Sequence, residues 1–247
     1  MRIASATGDK SGAQRCAQKD KPSAATHPVT EAQARRRLVA LAAAFVFLFM
    51  GAGAQQQYLV PYLTGALRWS DLSAGLAVAA VYIGEMVTRV PNLALVSGLP
   101  DSLLSFLGSL TYVLFPLAVG LTYYSHSASL LLAAGLLWGW GGSCLWTGSS
   151  MQALRYGDAL RGKRHGLSAG VLYVATDVGF FGGVLLLGLV HAHLRSAPHA
   201  PFLLAAAITA LGALILSRIP RADGSVAEPL TWTAVKDAAS RVKVRVA

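Results

Sequence analysis

Charge is scarce in this chain of 247 residues, and negative charge is scarcest: only 13% of residues are charged, with 11 Asp and Glu against 21 Lys and Arg. A soluble domain carries roughly a quarter charged residues, so the composition argues against a freely dissolved globule. Between Leu38 and Ser217 the only acids are Asp71, Glu85, Asp101, Asp158 and Asp177. Cysteine is almost absent. Cys16 lies in a polar N-terminal tail and Cys144 inside an apolar run, with neither metal spacing nor a disulfide expected. No apolar run precedes Leu38, so no cleavable leader is expected. A nucleophile–base pair and a glycine-rich phosphate cradle are missing too, so neither enzymatic chemistry nor a cofactor is expected.

Apolar sequence is abundant, at 54% of the chain. About 20 apolar residues cross the hydrocarbon of a bilayer, where helices satisfy their backbone groups segment by segment. Six runs qualify: about 38–63, 73–97, 102–124, 127–154, 166–190 and 201–217. The expected fold is an all-α membrane protein of six transmembrane helices, flanked by a disordered basic tail over 1–37 and a second tail over 218–247.

Basic residues set the orientation. Arg35, Arg36 and Arg37 precede span one; Arg155, Arg161, Lys163 and Arg164 lie between spans four and five; Arg218 and Arg221 follow span six. The alternate loops hold only Arg68 and Arg195. Positive residues stay in the cytoplasm, which predicts both termini inside, in a plasma or bacterial inner membrane. The net charge of +10 is thereby read as membrane topology, with lipid and not nucleic acid as partner. Tyr58, Tyr62 and Trp69, then Tyr123 and Tyr124, are expected at the outer interface as belt residues.

Polar groups at bilayer depth face a cavity or another helix. Span one carries Gln55, Gln56 and Gln57, span two Glu85 and Arg89, span four Trp138, Trp140, Trp146 and Thr147, span five Thr176 and Asp177. Those four are expected to line a cavity or pack on partners, with spans three and six outside against lipid. The distribution repeats after three helices, as two inverted three-helix repeats would. Gly135 with Gly139, Gly166 with Gly170, and Gly179 with Gly183 are each four residues apart, a spacing that lets helix backbones approach closely.

These features resemble the N-terminal six-helix half of a major facilitator superfamily transporter. The run from Leu107 to Leu154 is similar to the uncoordinated-like branch, whose fourth helix has a glycine-rich segment followed by Leu-Trp-Thr; here Gly139, Gly141 and Gly142 precede Leu145, Trp146 and Thr147. Two departures stand out. The loop between spans two and three keeps Asp101 after a glycine but lacks the superfamily's basic residues there, and span five lacks the proline of exporters. The tail places Trp232, Val235, Ala239, Val242 and Val246 on one helical face, with Lys236, Arg241, Lys243 and Arg245 largely elsewhere, as a basic amphipathic helix on an anionic leaflet would. It resembles the linker between transporter halves.

The resemblance implies a half-length secondary transporter moving a small solute by alternating access with a second half or as a homodimer. Its rivals are a non-transporting adaptor or regulator of a channel or receptor, which that branch includes, and a truncated remnant. Asp177, Glu85, Arg89, Gln55, Gln56 and Trp146 are the expected pathway residues, Asp177 foremost as a lone mid-membrane carboxylate. Glu85 and Arg89, one turn apart, can pair. His191, His193 and His199 have metal-like spacing but no Cys or carboxylate companions, so no metal is expected.

Overall fold

The computed structural model describes residues 29–95 and 99–220. The N-terminal tail before Val29 and the C-terminal segment with its expected amphipathic helix lie outside the described residues. Among the described residues, six helices are long and apolar enough to cross a bilayer. They are α1 (Glu31–Ala66), α2 (Asp71–Leu95), α3 (Asp101–Ser125), α4 (Ala128–Ala159), α5 (His165–His193) and α6 (Ala200–Arg218).

Local chemistry fixes several ends. Thr30 and Gln33 form a reciprocal capping box at the start of α1, and Glu31 follows in its first turn, where a carboxylate suits the positive end of the helix. Ser127 caps α4 by accepting from the Leu130 amide at 3.2 Å. His126 adopts a left-handed conformation after α3, and Pro201 opens α6 where its missing N–H is harmless. Within α1 the backbone widens to π-helix over Phe49–Gly53 and again over Tyr62–Ala66.

The helices interlock crosswise. α4 packs mainly on α2 and α3, α1 mainly on α5 and α6, and α3 meets α6 between the two groups. The first helix of each triplet thus lies against the second and third helices of the other, as an inverted pseudo-twofold arrangement requires. Close backbone approach makes this possible. A Cβ at Gly139 would stand 2.1 Å from the Val81 carbonyl oxygen, and one at Gly183 would stand 2.1 Å from that of Met50.

The expectation that α3 faces lipid on most sides is overturned. Its buried residues include Leu104, Ser105, Gly108, Ser109, Thr111, Tyr112, Phe115, Val119 and Thr122. Small residues explain this: a Cβ at Gly108 would lie 2.4 Å from the Gly141 carbonyl, and one at Gly148 2.5 Å from that of Asp101. The hydroxyls on this face donate back into their own helix, Thr111 to Gly108 at 2.7 Å and Thr122 to Val119 at 2.6 Å, so burying them leaves nothing unsatisfied. α6 likewise buries Ala205, Thr209 and Gly212. Its contact with α1 is close, with the Thr209 hydroxyl where a Gly51 side chain would go.

Two tyrosines of α1 turn into the bundle instead of forming a belt. The Tyr58 hydroxyl donates to the Val184 carbonyl at 2.6 Å. Tyr62 is buried against Phe202 and reaches the Val119 carbonyl at 3.4 Å.

Candidate functional site

α2 buries a stripe of small residues, Ala74, Ala77, Ala80 and Val81. With Gly84, whose Cβ would lie 2.5 Å from the Leu136 carbonyl, this stripe seats α2 against α4. Glu85 follows at the edge of that contact. Arg89, four residues on, donates its guanidinium to the Glu85 carboxylate. The Arg89 side chain remains 65% exposed and Glu85 25%, so the pair stands at the mouth of the α2–α4 groove with the guanidinium outermost.

On α4, Ser143, Trp146, Thr147, Ser150 and Met151 recur at three- and four-residue intervals and therefore share one face. Trp146 is held by its neighbours: Phe45 edge-on at 5.6 Å, Phe49 at 5.7 Å and Tyr173 of α5 stacked at 5.8 Å between ring centroids. This α4 face, Arg89 and Tyr173 together line an open cavity of about 630 Å³ between α2, α4 and α5. The Ser143 hydroxyl is buried without a hydrogen-bond partner among the described residues. The cavity thus offers a guanidinium for an anionic group, an indole and a phenol for an apolar or planar one, and hydroxyls for polar edges.

Of the expected pathway residues, Arg89 and Trp146 line this cavity, with Glu85 paired behind Arg89. The others lie elsewhere. Gln55 is 1% exposed, and both of its amide atoms are without hydrogen-bond partners among the described residues. Gln56 is half-buried, and neither glutamine lines the cavity. Asp177 is on the exposed side of α5 beside Val178 and Phe181 and does not line the α2–α4–α5 cavity. The reason is angular. α5 buries Ser168, Leu172, Ala175, Gly179, Gly183 and Leu187, and at about 100° per residue position 177 falls on the opposite side.

Among the packing glycines, Gly135 and Gly139 contact α2, and Gly179 and Gly183 contact α1, whereas a Cβ at Gly166 or Gly170 would meet nothing within 4 Å. The close approach expected at that last pair is not seen. His193 bonds its own helix through Leu189, and His199 packs on Tyr123 and Tyr124. No three His, Cys, Asp or Glu converge among the described residues.

A polar lock between α3 and α4 was not anticipated. Asp101, buried at the start of α3, pairs with Arg155 at 2.9 Å. Gln152 donates to the Asp101 carbonyl at 3.2 Å and to the Ser105 hydroxyl at 2.7 Å, and Ser149 meets Ser105 at 3.1 Å. The spacing of Ser149, Gln152, Arg155 and Tyr156 could have disclosed it. Placing the end of span four at Leu154 consigned Arg155 to a loop, whereas α4 continues to Ala159.

No protein-family model matches the sequence, and no curated protein matches it. The structure is similar to the crystal structure of the peptide transporter POT in complex with sulfate, at 21% identity and a TM-score of 0.60, covering 85% of this chain and 43% of that one. The likeness is one of fold: six apolar helices in two inverted three-helix repeats, like part of that transporter. The chain spans less than half the length of this structural neighbour. Within the fold, the glycines of the α4 run pack, Gly139 on α2 and Gly141 on Thr111 of α3, while Trp146 and Thr147 face the cavity.

Proposed function

We propose that this chain is one six-helix half of a secondary transporter, resembling the uncoordinated-like branch, which moves a small anionic or zwitterionic solute by alternating access. A second six-helix unit, from another copy or a partner chain, completes the path, because sites of this kind lie between repeats. Both termini are cytoplasmic, on the distribution of Arg and Lys. The observation that carries the reading is the cavity between α2, α4 and α5, lined by Arg89, whose guanidinium meets Glu85, together with Trp146 and Tyr173. A guanidinium half-answered by one carboxylate has donors left for a solute carboxylate. The stacked rings provide a wall that does not compete for water.

The test is uptake into proteoliposomes of labelled amino acids and of di- and tripeptides, the last because the structural neighbour is a peptide transporter. Flux above protein-free vesicles is expected, falling at least about tenfold in Arg89→Gln if one charge-assisted hydrogen bond is lost, with an unchanged thermal unfolding midpoint. Asp177→Asn, on the face left for the second unit, is expected to lower flux as well. Absence of flux for every solute, or full flux in Arg89→Gln, would overturn the proposal.

A further inference from the structure

The arginines at the membrane edge are unevenly answered. Arg35 and Arg161 both pair with Glu31, at 2.6 and 3.1 Å, beside a cavity of about 420 Å³ between α1 and α5. Arg155 pairs with Asp101 and Arg89 with Glu85. Arg36, Arg37 and Arg218 are in no ion pair among the described residues. These three converge from the first turns of α1 and the last of α6 onto a separate cavity of about 330 Å³, lined otherwise, among the described residues, by Gln33, Ala40, Ile219 and Pro220 and by no acid.

The Arg37 Nη1 atom is shielded from solvent there, without a hydrogen-bond partner among the described residues. A buried guanidinium donor left unmade is expensive. Arg218 can answer the negative end of the α6 dipole, but no carboxylate pairs with Arg36 or Arg37 among the described residues. The position is equally specific. Apolar sequence begins at Leu38 and ends at Ser217, so the cavity opens at headgroup depth, on the side where positive residues gather.

We propose that this cavity is a binding site for a phosphate group, held by Arg36, Arg37 and Arg218, with the headgroup of an anionic phospholipid as its source. The guanidinium forks of Arg36 and Arg37 take the phosphate oxygens, and Gln33 and the Ala40 wall border the glycerol. The site lies at the α1–α6 edge, away from the α2–α4–α5 cavity, and stands independently of any transport.

The experiment measures binding of the purified full chain to nanodiscs or vesicles of phosphatidylglycerol and of phosphatidylcholine, with glycerol 3-phosphate in solution as a separate arm, at matched ionic strength. Wild type is compared with Arg37→Gln, Arg36→Gln/Arg218→Gln, a cavity-filling Ala40→Phe that keeps every charge, and Arg161→Gln as a surface-charge control. Preference for phosphatidylglycerol, weakened about tenfold by Arg37→Gln and also by Ala40→Phe but less than twofold by Arg161→Gln, supports the lipid site. Equal binding of glycerol 3-phosphate with the same variant pattern overturns the lipid source and leaves a free phosphate ester as the ligand. Equal losses in Arg37→Gln and Arg161→Gln, or no loss in Ala40→Phe, would show diffuse surface attraction and overturn the site.

Discussion

A single methyl group at Gly139 tests how the candidate cavity is kept in register. There the α2 and α4 backbones touch: a Cβ would lie 2.1 Å from the Val81 carbonyl oxygen and 2.5 Å from the Glu85 nitrogen. Ordinary contact begins at 3.4 Å, so α2 must retreat by about 1.3 Å. The obstructing atoms are backbone, which no rotamer change can move aside. Overpacking of this kind costs about 1–3 kcal/mol. Gly166→Ala is the matched control, because a Cβ there meets nothing within 4 Å. Both variants gain the same helix propensity, roughly 1 kcal/mol, so their difference isolates the clash. Gly139→Ala should be less stable than Gly166→Ala by about 1–3 kcal/mol, roughly 5- to 150-fold in the folded ratio. The assay is reversible unfolding by SDS in mixed micelles, followed by tryptophan fluorescence. Because Arg89 rides on α2, Gly139→Ala should also separate it from Trp146 and lower solute binding. Equal midpoints for the two variants would refute the crosswise pairing of α2 on α4.

Three further outcomes are expected in the same unfolding assay. Tyr58→Phe removes the 2.6 Å bond to Val184 that ties α1 to α5 and should destabilise by about 1 kcal/mol. Gln152→Ala strips the α3–α4 lock of two donor contacts, at 3.2 and 2.7 Å, and should lose about 1–3 kcal/mol. An unchanged midpoint would mean that the lock contributes nothing. Gln55→Leu replaces a buried amide without partners among the described residues by a side chain of similar bulk, and should stabilise by about 1–3 kcal/mol. Destabilisation would show that Gln55 has a partner in the folded chain.

The membrane spans were legible because hydrocarbon imposes a length and a composition on each, and those survive without any knowledge of packing. The threefold alternation of polar helices was legible as well, and the crosswise pairing follows it. Burial was misread where the sequence offered polarity as its only guide. α3 has few ionisable groups and so looked lipid-facing, yet Ser105, Gly108, Ser109 and Thr111 make it an interior helix. In a bilayer, small size drives association where hydrophobicity cannot, so Gly108 and Gly148 were better guides than the absence of charge. Asp177 shows the converse: it lies mid-span yet stands on the exposed side of α5, because phase relative to Ala175 and Gly179 decides which way it points. The α4 cavity face, in contrast, could be found from spacing alone once Trp146 was picked out.

The exposed faces of α2 and α5 bear on what covers them. Leu76, Ile83, Met86 and Val87 are exposed on α2, and Val174, Val178, Phe181, Leu185 and Leu189 on α5. Lipid tails would satisfy all of these. They would not satisfy Asp177, which stands exposed near the middle of α5, because a charge at the centre of a spanning helix costs about 2.5–3.5 kcal/mol even on insertion scales; Arg89, also exposed, stands at the end of the apolar span of α2. The outer surfaces of α3 and α6 show no such conflict: Leu110, Leu114 and Leu121 on α3 and Leu203, Leu211 and Leu214 on α6 are exposed there, with Arg218 the exception at the very end of α6. Two surfaces of the same bundle therefore ask for different surroundings. That of α3 and α6 is suited to hydrocarbon throughout, while that of α2 and α5 calls for polar groups or water at mid-membrane depth, which a second six-helix unit enclosing the cavity would supply.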